Sequence, residues 1–249
     1  MAENWHVGGM ENSIARTPDG LLFDLWGTLI SSDGFDPSKG HAAVLALCDN
    51  PRAVPLSDVL AHGDRVVTAL SKREEEAALE FTQAALFRIL SDSFGLRPRA
   101  SMEECEWAFW DAALVVRLID GVREMLSALA AAGIPMGVVS NSSFCGPVLE
   151  RELVRQGVRS FFQFVISSAD YIVRKPHPLI FEVALRRLGL EPDQVWFAGD
   201  SVAYDVQGAL SAGIFPVAFN PMAEAPKGLG PYAQITRWDQ LVALITAAR

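Results

Sequence analysis

Leu21-Leu22-Phe23-Asp24-Leu25 is a short apolar run interrupted by a carboxylate, and Trp26-Gly27 breaks the pattern before Thr28-Leu29 resume it. A run this short and apolar suits a strand buried on both faces of a parallel sheet. Asp24 then stands at the carboxyl end of that strand, the edge where open α/β sheets hold their ligands. An ionised Asp buried there needs a cation beside it, because an unpartnered buried charge is costly.

The rest of the chain follows from that strand. Residues 1–19 read as a loose polar leader. From 31 to 117 strand-like runs give way to helical periodicity. Leu56 to Leu70 and Arg73 to Leu90 read as two amphipathic helices, and Ser101-Met102-Glu103-Glu104 as a capping box opening a third. After about residue 120, strands alternate with helices that stop on Gly133, Gly157, Gly189 and Gly213. Further strands are expected over Pro135–Ser140, Phe164–Ser167, Val195–Gly199 and Phe215–Phe219, with a last helix from Trp238. This spacing predicts an α/β fold, a doubly wound parallel sheet with helices on both faces. The helical segment 31–117 would be a smaller all-helical domain, set into a core of 1–30 and 118–249. Its hinges would lie near Ile30–Asp36 and Leu118–Gly121.

The chain has 249 residues, half of them hydrophobic, which is ample for a packed core. A formal charge of −9 argues against nucleic acid or an anionic membrane as partner. No apolar stretch approaches the roughly 18 residues needed to span a bilayer, and Met1 to Gly20 shows no signal-peptide pattern. Cys48, Cys105 and Cys145 match neither a disulfide framework nor a zinc site. Together these features lead us to expect a cytoplasmic protein, a monomer or homodimer, and the charge does not argue against a small, anionic, phosphorylated substrate, because a metal and one lysine can reverse the local field.

Four pieces in order carry chemistry: the strand ending at Asp24, the run Val138-Val139-Ser140-Asn141, the pair Lys175-Pro176, and Trp196-Phe197-Ala198-Gly199-Asp200-Ser201 followed by Asp205. By this set the chain resembles the haloacid dehalogenase-like hydrolase superfamily over roughly residues 20–222. The resemblance implies a Rossmann-like core with a cap domain inserted after the first strand. It makes Asp24 the nucleophile, since an aspartyl carboxylate can accept a phosphoryl group or an alkyl carbon. It puts Asp24, the backbone carbonyl of Trp26 and Asp200 on a Mg2+ ion, with Asp205 a direct or water-linked ligand that also holds Lys175. Magnesium prefers such hard oxygen donors. Ser140 and Asn141 would bind phosphate oxygens, and Lys175 would neutralise Asp24 and the bound anion. Blander readings stand beside these: Asp205 as a helix N-terminal acid, Ser140 or Asn141 as a cap, Arg174 as a salt-bridge group and His177 as a helix-start residue.

Trp26 departs from the family pattern. Most of the resembling phosphatases carry there a second Asp that protonates the leaving group. General acid–base help of that kind contributes roughly 10²–10⁴-fold. An indole N–H is a very weak acid and accepts nothing. Three functions stay open. The first is a magnesium-dependent hydrolase of a small phosphorylated metabolite, working through an aspartyl-phosphate. The second is a carbon–halogen or carbon–phosphorus hydrolase, the latter with Lys39 or Lys72 as Schiff base. The third is a protein of this fold that binds without turnover.

Overall fold

The computed structural model describes residues 7–8, 17–219 and 230–247. In chain order the strands are β1 (Val7–Gly8), β2 (Gly20–Phe23), β3 (Ile30–Phe35), β4 (Cys48–Asp49), β5 (Arg97–Pro98), β6 (Leu114–Leu118), β7 (Met136–Ser140), β8 (Phe164–Ser167), β9 (Val195–Gly199), β10 (Phe215–Phe219) and β11 (Tyr232–Ile235). The helices are α1 (Pro37–Ala46), α2 (Leu56–Ala77), α3 (Gln83–Phe94), α4 (Met102–Ala113), α5 (Val122–Ala131), α6 (Gly146–Arg155), α7 (Ser168–Tyr171), α8 (Pro178–Leu188), α9 (Gln207–Ser211) and α10 (Trp238–Ala247).

The main sheet has the order β1-β11-β10-β9-β2-β7-β8. All its pairings are parallel except β1 with β11. Every residue of β2 is buried, yet its side chains alternate between two cores. Leu21 and Phe23 join Val138, Ala198 and the helix residues Leu126, Leu149 and Leu241 on one face. Leu22 joins Val139, Phe197, Ile180 and Phe181 on the other. Helices therefore cover both faces, as an unbroken apolar strand demands. From β2 the chain winds one way to β7 and β8 and the other way to β9, β10 and β11. Asp24 thus sits at the topological switch point, between the ends of β7 and β9.

Six of the described strands exceed the sequence reading: β1 and β11 in the main sheet, and β3 to β6, of which β4 and β5 pair antiparallel inside the segment expected to be all-helical. β11 was not anticipated, because Tyr232-Ala233-Gln234-Ile235 is short and carries a polar residue. β1 places Val7 and Gly8 against the sheet, so the expected leader is in part a strand. Residues 1–6 and 9–16 of that leader lie outside the described residues.

Helices α1–α4 fall between β3 and β6, which pair antiparallel as a separate two-stranded ribbon over the expected hinges. None of the strands described between 38 and 115 joins the main sheet. The expected helix break near Ser71 is absent: α2 continues until Ala78 turns left-handed at φ 49°, and Thr82 then caps α3. Neither glycine nor proline stands at 71–72 to stop it. The unanticipated α1 has a plain start signal, Asp36 accepting from the Ser38 and Lys39 amides with Pro37 in the first turn. The Ser101–Glu104 capping box is present.

One apolar cluster runs through both parts, from Leu21 and Phe23 to Phe109 and Trp110 of α4. Trp110 is fully buried and donates from Nε1 to Glu152 of α6 at 2.9 Å. Glu106 accepts from the Cys145 amide at 2.7 Å, and Arg151 lies 4.2 Å over Trp107. At the other end of the cluster Trp238, 1% exposed, stacks on Phe219 at 4.3 Å and meets Phe23 edge-on at 5.9 Å. Trp238→Ala should therefore cost about 3–5 kcal/mol. A guanidinium unfolding curve of the variant, with an unchanged slope and a lower midpoint, is the check.

Candidate active site

Three strand ends converge. Asp24 follows β2 and its amide donates to the Ala198 carbonyl of β9 at 2.9 Å. Ser140 and Asn141 end and follow β7, and Asp200 follows β9. Lys175 enters from the loop before α8. Its Nζ lies 2.6 Å from Asp24 Oδ1 and 2.7 Å from Asp205 Oδ1. Asn141 clamps that loop on both sides: Nδ2 donates to the Lys175 carbonyl at 2.9 Å and Oδ1 accepts its amide at 2.8 Å. Asp205 is held in turn by the Ser201 amide at 2.9 Å.

Oxygens of Asp24, Asp200 and Asp205 all lie within 4.8 Å of one another. Two glycines make this approach possible. A Cβ on Gly199 would stand 2.4 Å from the Asp205 carboxyl carbon, and one on Gly27, at φ +73°, 2.3 Å from Asp200 Oδ2. Thr28 donates to Asp200 at 3.4 Å. Among the described residues, three carboxylates face one ammonium, so the pocket lacks positive charge. A divalent cation with oxygen ligands fits that deficit, and Asp24, Asp200 and Asp205 are the residues able to hold it.

The electrostatics show the same strain. Burial pushes the Asp24 carboxyl up to about 7, with Lys175 opposing and Asp205 adding to the rise. Burial alone would lower the Lys175 ammonium, but Asp205 and Asp24 together overcome it and raise the pKa. Asp200 is raised by the protein packed around it and then by the charge of Asp205. Asp24 is 6% exposed and Lys175 1%, while Ser140 is fully buried and donates to the Asn141 carbonyl at 3.4 Å.

Trp26 is half-buried and packs on Trp110 of α4, ring centroids 5.2 Å apart. It ties the loop after β2 to the helical segment. Arg174 lies 3.6 Å from Glu80 of that segment, and His177 caps α8 through the Leu179 amide. Lys39 is exposed beside Asp36, and the Lys72 side chain lies outside the described residues.

A second contact was invisible in the sequence. Between α2 and α3, Leu79 bridges Val173 antiparallel, the Arg174 amide donates to Ala78 O at 3.0 Å, and the Glu80 amide donates to Ile172 O. The Glu80 carboxylate accepts from Ser168 Oγ at 2.5 Å. This pairing ends one residue before Lys175. Between the two parts opens a cleft of about 660 Å³, with Asn141, Ser142 and Ser143 on its core side.

The haloacid dehalogenase-like hydrolase model matches residues 18–213. The chain belongs to this family of hydrolases. The phosphoglycolate phosphatase of Pectobacterium atrosepticum is 31% identical to this hydrolase over 206 residues, 78% of the chain and 76% of the relative. That of Escherichia coli O157:H7 is 37% identical over 220 residues, 78% of each. Two solved structures share its fold. A HAD phosphatase from Thermococcus onnurineus gives a TM-score of 0.60 at 20% identity, over 91% of this chain and 97% of that one. A 2-haloacid dehalogenase from Pseudomonas syringae pv. Tomato DC3000 gives 0.61 at 23%, with the same coverages. At these identities the two structures speak to architecture alone. Among the described residues no helix is long and apolar enough to cross a membrane.

Lys175→Ala should destabilise this hydrolase by about 3–5 kcal/mol, since Asp24 and Asp205 lose their buried partner. Urea unfolding of the metal-free variant measures it. pH gives a second check. The Asp24 carboxyl is raised from 3.8 to about 7 in the folded state. Its stabilising contribution is therefore full below the unfolded value and lost as pH rises through the folded one. The metal-free protein should lose stability between about pH 4 and about pH 7, and Asp24→Asn should flatten that part of the profile.

Proposed function

We propose that this hydrolase is a magnesium-dependent phosphatase, acting on a small phosphorylated metabolite through an aspartyl-phosphate on Asp24. The observation that carries the reading is Lys175 bridging Asp24 and Asp205 at 2.6 and 2.7 Å, with the Asp200 carboxylate beside them. A dehalogenase of this family needs no metal, whereas three carboxylates around one lysine call for one. The activity named for the two sequence relatives, phosphoglycolate phosphatase, points the same way.

In this reading residues 31–117 are the cap and residues 1–30 with 118–249 the core. Mg2+, held by Asp24, Asp200, the Trp26 carbonyl and, directly or through water, Asp205, would neutralise charge on the transferring phosphoryl group. Lys175 offsets the negative charge of Asp24 and of the phosphate. Ser140 and Asn141 supply a hydroxyl and backbone N–H groups to the phosphoryl oxygens. An Asp24 oxygen attacks phosphorus; the Asp24 O–P bond forms and the ester P–O bond breaks. The leaving oxygen keeps the electron pair and takes its proton from water, because the Trp26 indole is too weak an acid to give one. A second water then attacks phosphorus, which returns the Asp24 carboxylate and releases inorganic phosphate.

Asp24→Asn should abolish turnover while the protein stays folded. Steady-state hydrolysis of acetyl phosphate with saturating magnesium tests it, and wild-type rates in the variant would remove Asp24 as nucleophile. Trp26→Asp should raise hydrolysis of an alkyl phosphate by on the order of 10²-fold, by restoring a general acid where the leaving group most needs one. The same change gives up the contact with Trp110, so its melting temperature should fall. No gain on the alkyl ester in a folded variant would count against a phosphatase slowed by Trp26.

A further inference from the structure

The cleft between cap and core has the position of a subsite for the alcohol half of the ester. Its core wall, Asn141-Ser142-Ser143, continues directly from the residue that clamps the Lys175 loop. Asp24 and Lys175 do not themselves line the cleft; Asn141 and Arg174, which flank Ser140 and Lys175 in sequence, join it to the site. The facing wall sets Phe35, Phe81 and Phe109 beside Val67 and Leu86, interspersed with polar groups such as Thr68 and Ser71. At about 660 Å³ the cleft falls among those that enclose a ring-bearing ligand, and is far roomier than a two-carbon acid requires.

Charge in the cleft disfavours an acid. Among its described lining residues only Arg174 is a permanent cation, and Arg174 lies 3.6 Å from Glu80. Asp64 adds a second carboxylate. His41 is 7% exposed and set edge-on to Phe109 at 5.1 Å; burial lowers its pKa, with Asp64 opposing, which favours the uncharged ring. A carboxylate on the alcohol would meet two carboxylates and one arginine already engaged. Gln83, also on the wall and 7% exposed, has an Nε2 with no hydrogen-bond partner among the described residues. An acceptor such as a hydroxyl or carbonyl oxygen, met after rotation of the terminal amide, would relieve it.

Trp26 adds an independent constraint. With no acid at that position, the alcohol must leave as a stable oxyanion, which a phenol does and an aliphatic alcohol does poorly. We propose that the substrate is an aryl phosphate, the monoester of an uncharged phenol-type alcohol whose ring fills this cleft. The assignment rests on the phosphatase reading. In the transfer the Asp24 O–P bond forms, the P–O(aryl) bond breaks, and the aryloxide carries off the electron pair and is protonated by water.

The test uses the full chain with magnesium and three probes: phenyl phosphate, 2-phosphoglycolate and acetyl phosphate. The expected result is kcat/KM for phenyl phosphate at least about 10-fold above that for 2-phosphoglycolate, a usual discrimination where apolar contacts select the ligand. Val67→Trp, at a 40% exposed position on α2 that tolerates bulk, narrows the cleft. It should raise KM for phenyl phosphate about 10-fold more than KM for acetyl phosphate, which is too small to reach the wall. A preference for 2-phosphoglycolate, or equal effects of Val67→Trp on both esters, overturns the aryl assignment and leaves the phosphatase reading standing. No hydrolysis of acetyl phosphate by the wild-type protein overturns both.

Discussion

Lys175 held between Asp24 and Asp205 is the contact on which the rest of the structure depends. A lysine 1% exposed is tolerable only with its carboxylates in place, and the carboxylates only with the lysine. Much of the local architecture serves that arrangement. Gly27 and Gly199 are small so that Asp200 and Asp205 can close in. Asn141 gives up both ends of its amide to fix the lysine loop. The parallel sheet brings β2, β7 and β9 side by side, so residues more than a hundred positions apart meet at one edge.

Most of the sheet was legible because each central strand is an apolar run stopping on a polar residue: Phe23 before Asp24, Val139 before Ser140, Gly199 before Asp200. The glycine stops marked helix ends for the same local reason. What escaped was what depends on space rather than pattern. β11 carries Gln234, and its pairing with β10 overrides a weak local signal. Sequence could say what the Trp26 indole cannot do. It could not say that Trp110, eighty-four residues on, stands ready to pack against it. The contact of Glu80 with Ser168 and Arg174 has no periodicity at all and exists only in the folded chain. By contrast α1 was readable in principle, from Asp36-Pro37 as cap and first turn.

The helical segment is bound to the core by two different kinds of contact. On the α4 side the bond is apolar and deep, with Trp110 in the shared cluster and its N–H on the buried Glu152. On the side of the α2–α3 turn it is polar and lies at the mouth of the site, made by backbone bonds and one carboxylate. Breaking the first exposes large aromatic surface, whereas groups of the second can be rehydrated. The polar seam is thus the easier of the two to part.

The short antiparallel pairing of Ala78–Glu80 with Ile172–Arg174 has a thermodynamic consequence. Ile172 sits at φ +66°, a costly conformation for a β-branched residue, and its carbonyl is tied to the Glu80 amide. Parting the seam frees that residue to leave its strained conformation. The strain at Ile172 is held by the pairing with Glu80, while the lysine loop is fixed separately by Asn141. Any molecule that binds the paired seam more tightly than the parted one shifts the balance between the two by the ratio of its affinities for them, and no more.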